Sequence, residues 1–414
     1  MRLALFTAAV LLALGGCSSK RDSNTGDDSG MDDDGMVVGG DASDDSLPAC
    51  ATGQYQATQA PTALLTLLQR SGSMAQNNKW VFAAQAIVQA LDQPVFDTMS
   101  VGLISAPTTK VQGPACILNF PVACGVPPFP QVDLKLAGKN KSSDSSGVRH
   151  DIKSWLSNNA PDMSLGEGNP LYSAIQAAIG ALQGVQIQKR ILFVITDGGV
   201  SCTSLSNRPG YTDGNGCTDW EYPQNIIDLV KKANTDMNAP IETFIVGVPG
   251  SDTYDATGKN YPPYHMRAAL SSIAKAGSPK YVPANCNGND PFNQSDPDPQ
   301  TSCHFDMTQN YSSMAVANAI GHVRGAVLGC LYDLPQPEGG TVDLGKVNVS
   351  YSTSGPVMSL YKRKDMSNMC TNDGCWDYTP DMTQVELIGK ACTDVKNAMN
   401  AKVTITVGCT TDIR

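Results

Sequence analysis

The stretch Leu64-Leu65-Thr66-Leu67-Leu68-Gln69-Arg70-Ser71-Gly72-Ser73-Met74 decides the fold of this chain. Residues 64–68 are apolar or β-branched without a break, which is typical of a strand buried on both faces of a sheet. Residues 71–73 form a polar turn, and a helix follows with its apolar positions at Trp80, Ala84, Ile87 and Leu91. Strand, turn and helix in this order indicate a doubly wound sheet, in which ligands bind at the carboxyl ends of the strands. We therefore expect a site around Ser71 and Ser73.

Strand and helix patterns alternate along residues 50–329. Apolar runs predict strands at 101–104, 191–195, 241–248 and 281–282, and an alternating run predicts an edge strand at 132–136. Residues at helical spacing predict helices at 148–156, 171–182, 226–233, 266–276 and 316–327. The predicted fold class is α/β, with a doubly wound, mostly parallel sheet flanked by helices. Pro-rich and Asn/Asp-rich loops that contain cysteines predict disulfide-closed insertions.

The pattern changes after residue 330. Residues 342–344, 347–351 and 402–407 alternate at period two, which indicates strands, and 394–399 could form one short helix. We therefore predict a small Cys-rich β domain over residues 330–414. Such a small domain has a modest core and depends on its disulfides.

Three segments resemble the von Willebrand factor A (vWA) domain. Leu-Leu-Gln-Arg-Ser-Gly-Ser-Met at 67–74 is similar to the Asp-x-Ser-x-Ser motif of that family, residues 168–175 to its Thr-containing loop, and residues 190–199 to its strand that ends in Asp. The resemblance implies a Rossmann-like fold and a metal-ion-dependent adhesion site. Carried over by position, the metal site comprises Ser71, Ser73, Asp197, Gln69 and Asn169. Gln69 and Asn169 stand where the family has Asp and Thr.

These two replacements predict a degenerate site with weak or absent Mg²⁺. Mg²⁺ favours charged oxygen ligands, and one carboxylate in place of two weakens the attraction. The amides of Gln69 and Asn169 could instead donate hydrogen bonds to Asp197 or the serine oxygens, or bind a carboxylate of a partner. For Ca²⁺, the candidates are the Asp/Asn-rich segments 27–34, 213–219 and 285–303, but a spacer and ordinary turns are the favoured interpretations.

The first residues form a targeting segment. An apolar run, too short to span a membrane, leads to Leu14-Gly15-Gly16-Cys17, which looks like a lipobox. We predict a signal peptide over 1–16, lipidation of Cys17, and a disordered acidic tether over 17–49. Residues 18–49 hold nine Asp and two basic residues, and so carry −7 of the net charge of −10. This balance argues against nucleic-acid binding, which needs a basic surface. The expected location is the bacterial cell envelope, lipid-anchored at the outer membrane.

The cysteines indicate an oxidising compartment. Thirteen are present, and twelve remain if Cys17 carries lipid. Short separations predict the pairs Cys116–Cys124, Cys202–Cys217, Cys286–Cys303 and Cys370–Cys375. The pairing of Cys50, Cys330, Cys392 and Cys409 stays open. Zinc is disfavoured because no pair has the two-residue spacing of a zinc knuckle.

The sequence favours a non-enzymatic function. None of its four histidines lies in a recognisable nucleophile–base motif. The first hypothesis is a membrane-tethered vWA-type module that binds an unidentified protein ligand, in adhesion or scaffolding. The alternative is a structural envelope lipoprotein without metal-dependent binding, and a secreted hydrolase is a distant third.

Overall fold

A computed structural model describes residues 53–56, 61–108, 111–112, 121–122, 124–163, 168–203, 209–212, 218–328, 330–335, 342–353, 355–365, 367–368, 370, 372–379, 382–398 and 401–414. The predicted signal peptide, Cys17 and the tether lie outside the described residues. Cys50, Cys116, Cys217 and most of the candidate calcium loop 213–219 also lie outside them.

Within the described residues, the chain forms seventeen strands and seven α-helices. The strands are β1 Gly53–Gln56, β2 Thr62–Gln69, β3 Ser100–Ala106, β4 Val111–Gln112, β5 Pro121–Val122, β6 Val132–Leu136, β7 Lys189–Thr196, β8 Gly210–Thr212, β9 Thr218–Glu221, β10 Ile241–Gly247, β11 Phe305–Asp306, β12 Leu331–Asp333, β13 Val347–Ser352, β14 Met358–Leu360, β15 Cys375–Tyr378, β16 Gln384–Ile388 and β17 Lys402–Val407. The helices are α1 Lys79–Leu91, α2 Val148–Asn158, α3 Leu171–Gln183, α4 Pro223–Asn234, α5 Met266–Gly277, α6 Ser313–Leu328 and α7 Lys390–Asn397. Among the described residues, none of the helices has the length and apolar character needed to span a bilayer.

The central sheet has six strands in the order β11-β10-β7-β2-β3-β6. All neighbours are parallel except β6, which pairs antiparallel with β3 at the edge. Every residue of β2 is buried because helices cover both faces of the sheet. The predicted α/β fold class is confirmed, including the central position of 191–195 and the edge position of 132–136.

Alternate residues of the central strands enter two separate cores. Leu64 and Leu68 of β2 face a core completed by α1, α2 and α6. Leu65 and Leu67 face the opposite core, completed by α3, α4 and α5. This period of two explains why an uninterrupted apolar run was required at the centre of the sheet.

The predicted strand at 281–282 is wrong. Tyr281 lies in a turn, where its N–H donates to the carbonyl oxygen of Ser278, and its ring packs against Phe244. Pro283 follows and has no N–H to offer a neighbouring strand. The outer position beside β10 is taken by β11, only two residues long, which carries no period that sequence analysis could detect.

The C-terminal region contains two small antiparallel sheets around one core. One has the order β1-β17-β13-β14, and the other has the order β12-β16-β15. Strand β1 lies within the range predicted for the vWA-like domain, 50–329, yet it pairs with β17 from Gly53↔Val407 to Gln56↔Thr404. The expected strand at 342–344 instead leads into a 3₁₀ turn, where the Asp343 carboxylate accepts the N–H of Gly345. The predicted short helix begins earlier than expected, at Lys390.

Disulfides connect parts of the chain that sequence separation did not indicate. Cys286–Cys303 and Cys370–Cys375 are confirmed. Cys124 is bonded to Cys202, so the predicted pairs Cys116–Cys124 and Cys202–Cys217 are wrong. The short-separation rule failed here because the sheet brings two distant loops together. Of the cysteines left open, Cys330 pairs with Cys392, and Cys409 is also disulfide-bonded.

Replacing Leu65 by Ala should lower the free energy of unfolding by about 2–5 kcal/mol, because it leaves a cavity in the core between β2 and α3. Leu136→Ala is the matched control, since Leu136 is 64% exposed on edge strand β6, and we expect a change within about 0.5 kcal/mol. Urea unfolding followed by tryptophan fluorescence measures both. Equal effects of the two substitutions would contradict the assignment of β2 to the centre of the sheet.

Candidate functional site

The carboxyl ends of β2 and β7 bring the sequence-predicted residues together. Gln69 ends β2, Asp197 follows β7, and the two strands are adjacent and in register up to Leu68↔Ile195. Asn169 reaches the same place from the segment before α3. Gln69, Ser71, Asn169 and Asp197 are buried, and Ser73 is half-buried.

Gln69 is the centre of a hydrogen-bond network. Its Oε1 accepts the backbone N–H of Asp197 at 2.9 Å and the Thr196 hydroxyl at 2.5 Å. Its Nε2 donates to Ser71 Oγ at 2.6 Å and to Asp197 Oδ1 at 2.7 Å. A backbone N–H can only donate, so the bond from Asp197 N fixes the amide orientation and directs the NH₂ group at the carboxylate.

Asn169 is fixed in the same manner. Its Nδ2 donates to the carbonyl oxygen of Gly198 at 2.6 Å, and a carbonyl oxygen can only accept. The same NH₂ group lies 3.1 Å from Gln69 Oε1 and 3.2 Å from Thr196 Oγ1. Gln69 therefore donates to Asp197 and Ser71, as one of the sequence-based alternatives required. Asn169 instead directs its NH₂ group to the Gly198 carbonyl oxygen, to Gln69 and to Thr196.

Lys79 is the site residue that sequence analysis missed. It is buried, and its Nζ lies 2.5 Å from Asp197 Oδ2. Asn77 and Asn78 adopt left-handed backbone conformations, with φ of 53° and 57°, and the chain then enters α1 at Lys79. Asparagine tolerates this conformation better than most residues. One signal was available: a lysine in the first turn of a helix is opposed by the helix dipole, so a special partner was needed.

The loop after β10 packs closely against the ion pair. Gly250 has φ of 107°, and a Cβ atom at this position would lie 3.5 Å from Lys79 Nζ and 3.2 Å from the Asp197 carbonyl oxygen. The Tyr311 hydroxyl also donates to the backbone oxygen of Lys79 at 2.5 Å. Two separate parts of the chain thus contact the start of α1.

The residues at this site do not fit a Mg²⁺ ion. Mg²⁺ requires oxygen ligands in octahedral geometry, but the Gln69 NH₂ group lies among the oxygens of Ser71 and Asp197. The second oxygen of Asp197 is paired with Lys79. Across the part of the chain that the structure describes, no group of three or more His, Cys, Asp or Glu side chains is arranged to hold a metal ion.

The candidate calcium loop 285–303 has its carboxylates engaged elsewhere. Asp290 pairs with Lys231 at 2.6 Å, and Asp296 accepts the backbone N–H of Asn293. Asp298 lies near His265 and Arg267. These carboxylates point to separate protein partners and do not converge on one point.

A second buried polar cluster lies beside the network, at the carboxyl end of β10. A Cβ atom at Gly247 would lie 2.6 Å from Ser251 Oγ and 3.1 Å from His304 Nε2, so glycine leaves these groups room. Within the described residues, both ring nitrogens of His304 and the Ser251 hydroxyl lack a hydrogen-bond partner. Burial lowers the pKa of His304 from 6.5 to about 4, so the ring is uncharged at neutral pH.

Large side chains are exposed on the loops at the same end of the sheet. Tyr254 and Tyr261, on the loop that follows β10, are 45% and 48% exposed, and Tyr254 stacks on His265 with centroids 4.3 Å apart. Met163 is 53% exposed and receives a hydrogen bond from Gln76, which follows the serine turn. The outer surface around the closed network is therefore partly aromatic and apolar.

Comparison with known proteins gives weak likenesses. No family model matches the chain, and no curated protein matches it. Among solved structures, the pilus adhesin SpaC from Lactobacillus rhamnosus GG, in its open conformation, is similar at 14% identity and a TM-score of 0.43, covering 85% of this chain and 39% of that chain. The conserved hypothetical protein BatB from Bacteroides thetaiotaomicron is similar at 18% identity and a TM-score of 0.29, covering 52% of this chain and 86% of that chain.

An aerotolerance-related membrane protein from Bacteroides fragilis NCTC 9343, carrying multiple mutations to serine, is also similar. Its identity is 18% and its TM-score 0.35, with 64% of this chain and 98% of that chain covered. The chain thus spans well under half of the length of the adhesin. TM-scores below 0.5 carry no weight for function, so the site itself must support any proposal.

Asp197→Ala should lower the free energy of unfolding by about 3–5 kcal/mol, because it leaves the Lys79 ammonium group buried and unpaired. The control is Asp290→Ala, which removes an ion pair of similar length at the surface, where Lys231 is 57% exposed. Solvent screens that pair, and we expect little change. Chemical denaturation compares the two. A small effect at Asp197, similar to that at Asp290, would show that the buried pair is not structurally important.

Stability should fall as the pH drops below 6.5, because unfolded His304 takes up a proton that the folded protein, with a pKa of about 4, excludes. From pH 7.5 to pH 5 this proton uptake should cost about 2 kcal/mol. In His304→Asn, which cannot titrate, the pH dependence of unfolding should shrink by that amount. The exposed His322→Asn is the control and should behave like the native chain. An unchanged pH dependence in the His304 variant would contradict the assignment.

Proposed function

We propose that this protein is a non-enzymatic, vWA-type protein-binding module of the bacterial cell envelope, acting in adhesion or scaffolding without a divalent cation. The observation that carries the proposal is the closed network at the carboxyl ends of β2 and β7. Its polar groups bond to one another through Gln69 and Lys79, while exposed Tyr254 and Tyr261 lie on the loop after β10, at the same end of the sheet. Exposed aromatic residues are typical of the central contacts of protein interfaces.

The arrangement of hydroxyl groups supports a non-enzymatic role. Ser71 accepts a hydrogen bond from Gln69 and shares one with Ser73 at 2.7 Å. A nucleophilic serine instead needs a neighbouring general base. His304 is buried, and neither of its ring nitrogens forms a hydrogen bond with Ser71 or Ser73. This arrangement gives no support to the hydrolase alternative.

The proposal includes attachment of the protein to the membrane through lipid on Cys17. The lipobox-like sequence at 14–17 and the acidic segment after it are the support. Two or three acyl chains on one cysteine provide stable anchoring, and a self-repelling tether would hold the folded part away from the membrane.

Cys17→Ser should release the protein from the membrane fraction and abolish incorporation of radiolabelled palmitate, because the thiol that receives the lipid is lost. Cell fractionation and labelling in a bacterial host measure both effects. The control is Ser18→Ala, a substitution at the neighbouring residue that leaves the Cys17 thiol in place. Continued membrane association and labelling of the Cys17 variant would contradict lipidation at this position.

Protein capture should persist in EDTA and depend on the exposed tyrosines. In cells that express the full chain, chemical crosslinking should give a defined adduct whose yield is unchanged by EDTA and falls at least fivefold in Tyr254→Ala plus Tyr261→Ala. Met237→Ala is the control, because Met237 is 96% exposed but precedes β10 at the opposite end of the sheet. Loss of the adduct in EDTA, or an unchanged adduct yield in the double tyrosine variant, would contradict the proposed binding surface.

The second candidate is a structural envelope lipoprotein. The disulfides Cys124–Cys202, Cys286–Cys303, Cys330–Cys392 and Cys370–Cys375 favour it, since they restrain both the central domain and the C-terminal sheets. Absence of a defined adduct in the crosslinking experiment, together with retained membrane attachment, would favour this candidate over the binding module.

A further inference from the structure

We infer that the ammonium group of Lys79 is a built-in cation, which replaces the charge of the divalent ion at the carboxyl ends of β2 and β7. The inference goes beyond the proposed function and does not depend on whether the protein binds a partner. Its basis is the disagreement between the residues present and the Mg²⁺ site that the vWA resemblance implies.

The charges at the site balance without a metal. In the implied site, two carboxylates offset the two positive charges of Mg²⁺. Here Gln69 is neutral and Asp197 carries one negative charge, which the single positive charge of Lys79 offsets at 2.5 Å. Both members of the pair are buried, and burial of an unbalanced charge is costly. One carboxylate and one lysine therefore balance each other here, as two carboxylates and one Mg²⁺ ion would in the implied site.

Hydrogen bonds also occupy the places that a metal would need. Asp197 Oδ1 accepts the Gln69 NH₂ group at 2.7 Å, and Oδ2 accepts the Lys79 ammonium group. Ser71 Oγ is bonded to the same NH₂ group and to Ser73. A divalent ion would have to displace two nitrogen donors that are held by packing, and its charge would add to that of Lys79.

The position of Lys79 is built into the local structure. The left-handed residues Asn77 and Asn78 start α1 at Lys79, and the Tyr311 hydroxyl holds the backbone oxygen of this residue. Gly250 leaves space above the ammonium group that a side chain would restrict. Lys79 is thus held by several independent elements, as expected of a residue with a defined role.

The first test is Mn²⁺ binding by the full native chain, measured by calorimetry and by paramagnetic resonance. We expect no saturable binding at this site at millimolar Mn²⁺. Saturable one-to-one binding that is weakened by Ser73→Ala would overturn the inference, because Ser73 lies at the site and is only half-buried. This measurement needs no change to the buried core, so it stands even if other variants fold poorly.

The second test restores the implied site with Gln69→Asp plus Lys79→Ala, which supplies a second carboxylate and removes the ammonium group. We expect the variant to bind Mn²⁺ saturably, at least tenfold more tightly than the detection limit set by the native chain. Mn²⁺ should raise the unfolding temperature of this variant but not that of the native chain. The matched control is Gln85→Asp plus Lys231→Ala, the same change of residue types at exposed positions.

Each result of the second test is decisive. A gain of affinity in the site variant, but not in the control, supports replacement of the metal charge by Lys79. An equal gain in both variants would show a general effect of negative charge and would overturn the inference. A folded site variant that gains no affinity would overturn it as well.

Discussion

A buried carboxylate must have its charge balanced, and the region around Asp197 is organised by this requirement. Lys79 supplies the charge, and Gln69 connects the carboxylate to the ends of β2 and β7 through donors and acceptors that each have a defined partner. The start of α1, the serine turn and the loop after β10 all contact this pair or Gln69 beside it. Removing either charge would leave the other in a low-dielectric interior, where the energetic penalty is large.

Much of the central fold could be predicted from local patterns because strands and helices that bury a continuous face leave a period in the sequence. The run at 64–68 and the helical spacing after it are examples. Short edge elements leave no such period, so the two-residue strand Phe305–Asp306 was missed and 281–282 was misassigned. The prediction of disulfide pairs from short sequence separation also failed, because tertiary contacts leave no local pattern in the sequence. Cys124 and Cys202 are 78 residues apart in sequence, and only the folded structure makes them neighbours.

The candidate site shows a similar division. Gln69, Ser71, Asn169 and Asp197 could be identified because each occupies a motif position at the end of a strand or the start of a helix. The direction of the two amides could be proposed but not decided, since an amide can present either oxygen or NH₂. Lys79 could not be assigned to Asp197 from its motif position alone. Its role depends on the left-handed turn at Asn77 and Asn78, a conformation that residue spacing does not encode.

The pairing of β1 with β17 has a consequence for the order in which the protein can fold. Residues 53–56 must wait for residues 404–407 before their sheet can be completed. The central sheet separates these two strands along the chain, and it can assemble from contacts that form earlier. Closure of so long a loop is entropically unfavourable and slows folding. We therefore expect the first described strand to be among the last to reach its native partner, with its edge exposed during synthesis.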